Sequence, residues 1–257
     1  MATDPNGIPV PDPTETLARV VESTAQLITT AEQFDDAAVR EPSLLPGWTR
    51  GHVLTHLARN AEAVVRLLTW AATGEESPMY ASADARDAEI EQGADRTAAE
   101  LLADLRETSE RFAVQAARLT PEQWHNEIEG RRGGKQQAAW LPWWRLEEIL
   151  IHHVDLRVAY SPAHWPEDFT EPELALIAAR FSNPVFTAES PSFRLLSEDE
   201  DGTDDHVYTV LAAPDDEHVP EVRGPSAALV AWLIGRSNGD GLNVEPHGPL
   251  PTPPTWK

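Results

Sequence analysis

The stretch WTRGHVLTHLARN, residues 48–60, places His52 and His56 one helical turn apart in a segment that is otherwise typical of a buried helix. Val53 precedes His56 by three residues and Val64 follows it by eight, so the three side chains share one face of such a helix. Because that face is largely apolar, it is predicted to point into the protein, and an imidazole there is a candidate functional group. His52 lies nearer the predicted start of the helix.

The segments around this stretch also have apolar residues at the helical spacing of three and four. Proline, glycine and polar runs separate them, and the segment around Pro121 and GRRGGK is predicted to be a loop. Amphipathic helices joined by loops are typical of a helix bundle, which we expect over residues 1–163. The predicted helices cover residues 14–34, 49–72, 83–119, with a possible interruption at 92–95, and 143–160.

The character of the sequence changes from about residue 161, where a proline-rich junction precedes a helical pattern at 169–181. Residues 193–213 alternate strand-like runs around an acidic, glycine-containing turn, which predicts a hairpin. A short strand then precedes a helix that Pro225 begins and Gly235 ends. We therefore predict a small α/β domain over residues 164–257, and an α+β fold class for the chain.

The composition excludes several classes of function. The 257-residue chain has a formal net charge of −23, so neither nucleic acid nor an anionic membrane is an expected partner. It has no cysteine, which excludes disulfides, thiolate metal ligands and a cysteine nucleophile. Residues 1–15 lack the basic and apolar regions of a signal peptide, and no apolar run is long enough to span a membrane, so we expect a cytoplasmic location. Lysine occurs only at Lys135 and Lys257, so a positive pocket for an anionic substrate needs arginine or a metal.

A second turn-spaced pair, Glu148 and His152, lies on the largely apolar fourth helix. Side chains at i and i+4 present two donor atoms to one point, and a third ligand from a facing helix leaves a fourth coordination position open. Spacing alone does not choose between His52 and His56 for that third ligand. Histidine and carboxylate ligands suit zinc and do not exclude other divalent metals. His153 projects about 100° away from His152, and Asp155 either orients an imidazole or is exposed. Spacing alone leaves two interpretations: a metal site, or buried histidines hydrogen-bonded to Glu148 and to backbone carbonyls.

These motifs resemble a known family. LLPGWTRGHVLTHLARNAEAV (44–64), WAATGEESPMY (70–80), RLEEILIHHVDL (145–156) and VRGPSAALVAWLIGRSNGDG (222–241) are similar to the mycothiol-dependent maleylpyruvate isomerases, and the resemblance covers nearly the whole chain. The histidine and ExxxH motifs mark the wider DinB-like bundle superfamily, whereas TGEESPMY and the later ARDAEI are narrower and resemble the isomerase itself.

The resemblance implies a DinB-like four-helix bundle followed by an α/β domain. It also implies a divalent metal, normally zinc, held by His56, Glu148 and His152. Arg86 and Arg236 match family arginines linked to activity, and we expect them to bind the carboxylates of a small dicarboxylate substrate. The sequence leaves open ordinary roles for both, in a surface ion pair for Arg86 and in capping a helix for Arg236. His52 is a further candidate, either for proton transfer or for support of the site.

The implied reaction is the conversion of maleylpyruvate to fumarylpyruvate, a step of the gentisate route of aromatic breakdown, with the low-molecular-weight thiol mycothiol as cofactor. Adding a thiolate makes the double bond single, rotation follows, and elimination restores the trans alkene. A metal could lower the pKa of the thiol or polarise a substrate oxygen. The alternatives are a mycothiol S-transferase on the same bundle and a non-catalytic relative that keeps the fold.

Overall fold

The computed structural model describes residues 8–130, 133–182, 191–198, 206–210 and 219–256. The chain forms two compact units, Met1–Val158 and Ala159–Lys257. The domain boundary predicted after residue 163 stays a prediction.

The described part of the N-terminal unit, residues 8–130 and 133–158, contains five α-helices. The long helices α1, α2, α4 and α5 pack against one another as a four-helix bundle, and α3 packs on α2, which confirms the predicted bundle. Leu27, Val64, Leu105 and Ile149 come from the four bundle helices and are fully buried in its core. The helices are α1 Pro13–Ala31, α2 Arg50–Thr73, α3 Ala83–Ala94, α4 Ala98–Ala116 and α5 Leu141–Asp155.

Local sequence signals explain where the helices start and stop. Thr49 caps α2, and Gly74 ends it with a φ of 77°, a left-handed conformation that favours glycine. The helical region predicted over 83–119, with a possible interruption at 92–95, is divided into α3 and α4, and the break falls at residues 95–97. Thr97 and Glu100 form a capping box that starts α4 just after the predicted interruption.

Two further elements differ from the prediction. The stretch predicted as a loop contains an antiparallel hairpin of β1 Glu127–Glu129 and β2 Lys135–Gln137, whose three-residue strands are too short to show alternation. Helix α5 begins two residues before the predicted start, with Pro142 in its first turn, and it ends at Asp155 rather than at residue 160. Arg157 has a φ of 55°, which is incompatible with continuing the helix.

Within its described residues, the C-terminal unit packs two α-helices against a mixed four-stranded sheet of order β4-β3-β5-β6. The predicted hairpin is present as the antiparallel pair β3–β4, and its acidic turn lies outside the described residues. Strand β5 runs parallel to β3, and the buried side chains of Phe193 and Val222 lie on these two strands. The elements are α6 Glu167–Phe181, β3 Phe193–Ser197, β4 His206–Val210, β5 Glu221–Gly224, α7 Ser226–Leu233 and β6 Asn243–Glu245.

Among the described residues, no helix combines the length and the hydropathy needed to span a membrane. The cytoplasmic location stays a prediction.

Candidate metal centre

Helices α2 and α5 bring three candidate ligands together inside the bundle. Nε2 of His56 lies 2.8 Å from Oε2 of Glu148 and 3.1 Å from Nε2 of His152. Nε2 of His152 in turn lies 3.2 Å from the same Glu148 oxygen. One ligand atom from each residue therefore falls within 4.8 Å of the others. The structure brings together the three side chains that the sequence and the resemblance selected.

The surroundings of His152 fix which of its nitrogens faces this cluster. Nδ1 lies 2.7 Å from Oδ2 of Asp155, whose side chain is fully buried. An imidazole that donates its Nδ1–H to a carboxylate has Nε2 available as a ligand, which is the common arrangement around protein-bound zinc. Of the two alternatives for Asp155, the buried, orienting one is observed. Two imidazole nitrogens and one carboxylate oxygen match a three-residue site with an open position, so these residues fit a divalent ion.

Burial and the contacts between the three residues act in opposite directions on the pKa values of the cluster. It lowers the pKa of His56 to about 4, so this imidazole is neutral at physiological pH. Burial also acts to lower the pKa of His152, but hydrogen bonds to Asp155 and Glu148 outweigh it and raise this pKa to about 9. For Glu148, burial acts to raise the pKa, whereas the two histidines outweigh it and hold the pKa well below its usual range. Glu148 and His56 are therefore already in the protonation states that bind a cation.

The far side of His56 faces a cation and an aromatic ring. Nη2 of Arg86, from α3, lies 3.3 Å from Nδ1 of His56, while Nη1 forms an ion pair with Asp87 at 2.7 Å. The indole of Trp48 lies edge-on to the His56 ring, with 5.7 Å between the centroids. Arg86 thus makes the surface ion pair considered from the sequence and also reaches the cluster, which spacing could not predict.

Arg86 also lines a cavity of about 350 Å³ in the N-terminal unit. Trp70, Met79 and Tyr80 line it with apolar side chains, and Glu76 and Glu129 line it with carboxylates. The Arg86 guanidinium carbon lies 5.9 Å from the centroid of the Tyr80 ring. The cavity is therefore connected to the ligand cluster through Arg86. Tyr80 belongs to the TGEESPMY motif, but the motif by itself gave no reason to place it at the site.

The other predicted residues lie outside the cluster. His52 belongs to the capping box of α2: its Nδ1 accepts a hydrogen bond from the backbone N–H of Thr49, and its Nε2 lies 3.3 Å from Oε2 of Glu91. Its ring stacks on Trp48 with 6.0 Å between the centroids. His153 points away from the cluster, with Nε2 2.8 Å from Oγ1 of Thr30.

Arg236 belongs to the C-terminal unit and follows the end of α7. Its backbone N–H donates to the carbonyl of Ala231 at 2.7 Å, and its Nη1 donates to the carbonyl of Ile234 at 2.8 Å. The capping contact considered from the sequence is therefore present, and the carboxylate-binding role stays a prediction.

Comparisons with family models and with solved structures relate both parts of the chain to the same family. Residues 20–157 match the family model of the mycothiol maleylpyruvate isomerase (MDMPI) N-terminal domain. Residues 164–255 match the family model of the MDMPI C-terminal domain. The fold is similar to the crystal structure of a mycothiol-dependent maleylpyruvate isomerase, with a TM-score of 0.84, 29% identity and 100% of both chains covered. The structure of a histidine-to-alanine mutant of such an isomerase matches with a TM-score of 0.83 at the same identity and coverage. No curated protein matches significantly. From its two matched domains, this chain belongs to the mycothiol maleylpyruvate isomerase family.

Proposed function

We propose that this protein is a mycothiol-dependent isomerase that converts maleylpyruvate to fumarylpyruvate, with a divalent metal held by His56, Glu148 and His152. The observation that carries the proposal is the convergence of these three ligand atoms next to Arg86, in a chain that matches both domains of the family. The reaction belongs to the breakdown of aromatic compounds through gentisate.

The donor set supports zinc as the metal, although other divalent ions accept the same ligands. When bound, such an ion supplies Lewis acidity, which lowers the pKa of a thiol or polarises a substrate oxygen. The chain's own contribution is to hold the ligands: Asp155 keeps Nδ1 of His152 engaged, and burial keeps His56 neutral.

Mycothiol supplies the nucleophilic thiol, which the cysteine-free chain does not contain. The 350 Å³ cavity beside Arg86 offers room for a small substrate, and Trp70 and Tyr80 give it an aromatic wall. The surrounding protein has a net charge of −23, so a dicarboxylate requires nearby cations. Arg86 and Arg236 are the residues we assign to its carboxylates.

Arg86 is suited to this role by its position. A histidine that binds a metal through Nε2 carries its proton on Nδ1, so a metal-bound His56 could not accept a hydrogen bond from Arg86. The guanidinium would then be available to an anion in the cavity that it lines. We assign a supporting role to His52, because its ring stacks on Trp48, which contacts His56.

The test is to follow maleylpyruvate by absorbance with the purified full chain, with and without mycothiol. We expect complete conversion to fumarylpyruvate with mycothiol far below the substrate concentration, because elimination returns the thiol. Chelation should abolish the activity and added zinc should restore it. Consumption of one mycothiol per substrate would instead indicate an S-transferase, and conversion without thiol would contradict the addition–elimination mechanism.

A further inference from the structure

A buried arginine outside the ligand cluster joins the two helices that carry the ligands. Arg145, on α5, is only 1% exposed. Its Nη1 donates to the backbone carbonyl of Leu57 and to Oδ1 of Asn60 on α2, both at 2.8 Å. Taking a guanidinium out of water is costly, so a charge at this depth needs an explanation.

Stability alone does not explain Arg145. Its Nη2 is buried and has no hydrogen-bond acceptor among the described residues, and a buried donor left unsatisfied destabilises the folded state. Well-packed apolar residues of similar volume often stabilise a core as well as a buried charged contact does, or better. The guanidinium stays charged nonetheless: burial lowers the pKa of Arg145 to about 10, and the nearby Glu148 carboxylate acts against that decrease.

The contact of Arg145 with Leu57 and Asn60 lies within about one helical turn of the ligands on both helices. Leu57 directly follows His56, and Asn60 comes one turn after His56 on α2. On α5, Arg145 precedes Glu148 by three residues, a rise of about 4.5 Å along the helix. Side chains three or four residues apart share a helix face, so Asn60 and Arg145 project from the same sides of the two helices as His56 and Glu148.

We propose that Arg145 and Asn60 are positioning residues of the metal centre, which fix α2 against α5 so that His56 meets Glu148 and His152. The inference rests on the metal-binding part of the proposed function. The two hydrogen bonds set the register of the helices one turn from the ligands. Asn60 is the last residue of the stretch 48–60, so this stretch contains both a ligand and a residue that positions it.

The test is zinc affinity, measured on the full chain by competition with a chelator, together with the melting temperature of the metal-free protein. The double variant Arg145→Met, Asn60→Leu replaces the polar contact with apolar side chains. We expect zinc affinity to fall by about 10–100-fold, with little change in the melting temperature. Arg145→Lys keeps the charge but loses the planar donor group, so we expect its zinc affinity to fall several-fold. If the double variant does not fold, Arg145→Lys tests the proposal in its place.

Asp104→Asn is the matched control, because Asp104 on α4 forms a part-buried ion pair with Arg59 on α2, at 2.6 Å, which joins α2 to α4 and not to α5. Wild-type affinity in this control, with weakened affinity in the Arg145 variants, supports the proposal. Unchanged zinc affinity in the Arg145 variants, or an equal loss in the control, overturns it and leaves the proposed function intact. If the wild-type chain binds no zinc, the metal centre and the positioning role both fail.

Discussion

Two consecutive histidines of α5 make different contacts, and helix geometry is the reason. Successive residues of a helix project about 100° apart, so His152 faces the ligand cluster while His153 faces α1, where it contacts Thr30. Asp155, three residues after His152, has the spacing needed to reach back to its Nδ1. One turn of α5 therefore contains a candidate ligand, the carboxylate that orients it and an unrelated contact between helices.

The residue-scale prediction concerns Asp155→Asn, which removes the charge opposite Nδ1 of His152 with little change in size. We expect zinc affinity to fall by about 10–100-fold, because a carboxylate partner raises the basicity of a ligating imidazole and fixes its orientation. The measurement is chelator competition. Thr30→Val is the control, since it removes the partner of His153 instead; an affinity loss in the control equal to that in Asp155→Asn would contradict a specific role for Asp155.

The first turn of α2 shows how a helix start can support a site. The backbone N–H of Thr49 donates to Nδ1 of His52, and Thr49 Oγ1 in turn accepts from the His52 backbone N–H. Free donors at a helix start must find acceptors, and here a histidine occupies the position that glutamate or glutamine takes in the usual capping box. Because α2 carries His56 one turn later, the cap and the candidate ligand belong to one local structure.

The element-scale prediction separates capping by His52 from proton transfer. His52→Gln retains an acceptor at the capping position, so we expect the stability of the metal-free protein, its zinc affinity and kcat to stay near wild type. His52→Ala should lower the free energy of unfolding in urea by about 1 kcal/mol. A large loss of kcat in His52→Gln with unchanged stability would refute the supporting role and favour proton transfer.

The elements show what the sequence could and could not predict. The faces of α2 and α5 follow from helical periodicity, so the approach of His56 to Glu148 and His152 was predictable once the two helices were expected to be neighbours in a bundle. The contact between Arg86 and His56 was not, because it depends on how the short helix α3 packs on α2 rather than on spacing. The hairpin β1–β2 was missed because three-residue strands carry no usable periodicity.

At the scale of the whole molecule, the chain divides its chemistry-bearing residues between two units. The described ligand cluster, Arg86 and the cavity all belong to Met1–Val158, whereas Arg236 belongs to Ala159–Lys257. Arg236 follows Gly235, whose φ of 73° ends the preceding helical segment. All three candidate metal ligands belong to the N-terminal unit, so a role of Arg236 in binding a substrate carboxylate is separable from metal binding.

The molecule-scale prediction follows from this division. Arg236→Ala should lower kcat/KM for maleylpyruvate by about 100-fold, which corresponds to about 2.7 kcal/mol of lost transition-state stabilisation. Zinc affinity should be unchanged, because the three candidate ligands lie in the N-terminal unit. Steady-state kinetics and chelator competition on the same preparation measure the two quantities.

Arg223→Ala is the control for Arg236→Ala, since Arg223 lies in the same unit and forms an ion pair with Glu221. Arg236→Ala also removes the hydrogen bond to the Ile234 carbonyl, so a melting curve is needed for both variants. A loss of activity at constant zinc affinity and melting temperature, absent in the control, assigns Arg236 to the substrate. If kcat/KM stays at the wild-type value, Arg236 serves only the end of α7, and the dicarboxylate must then be bound by Arg86 and the metal within the N-terminal unit.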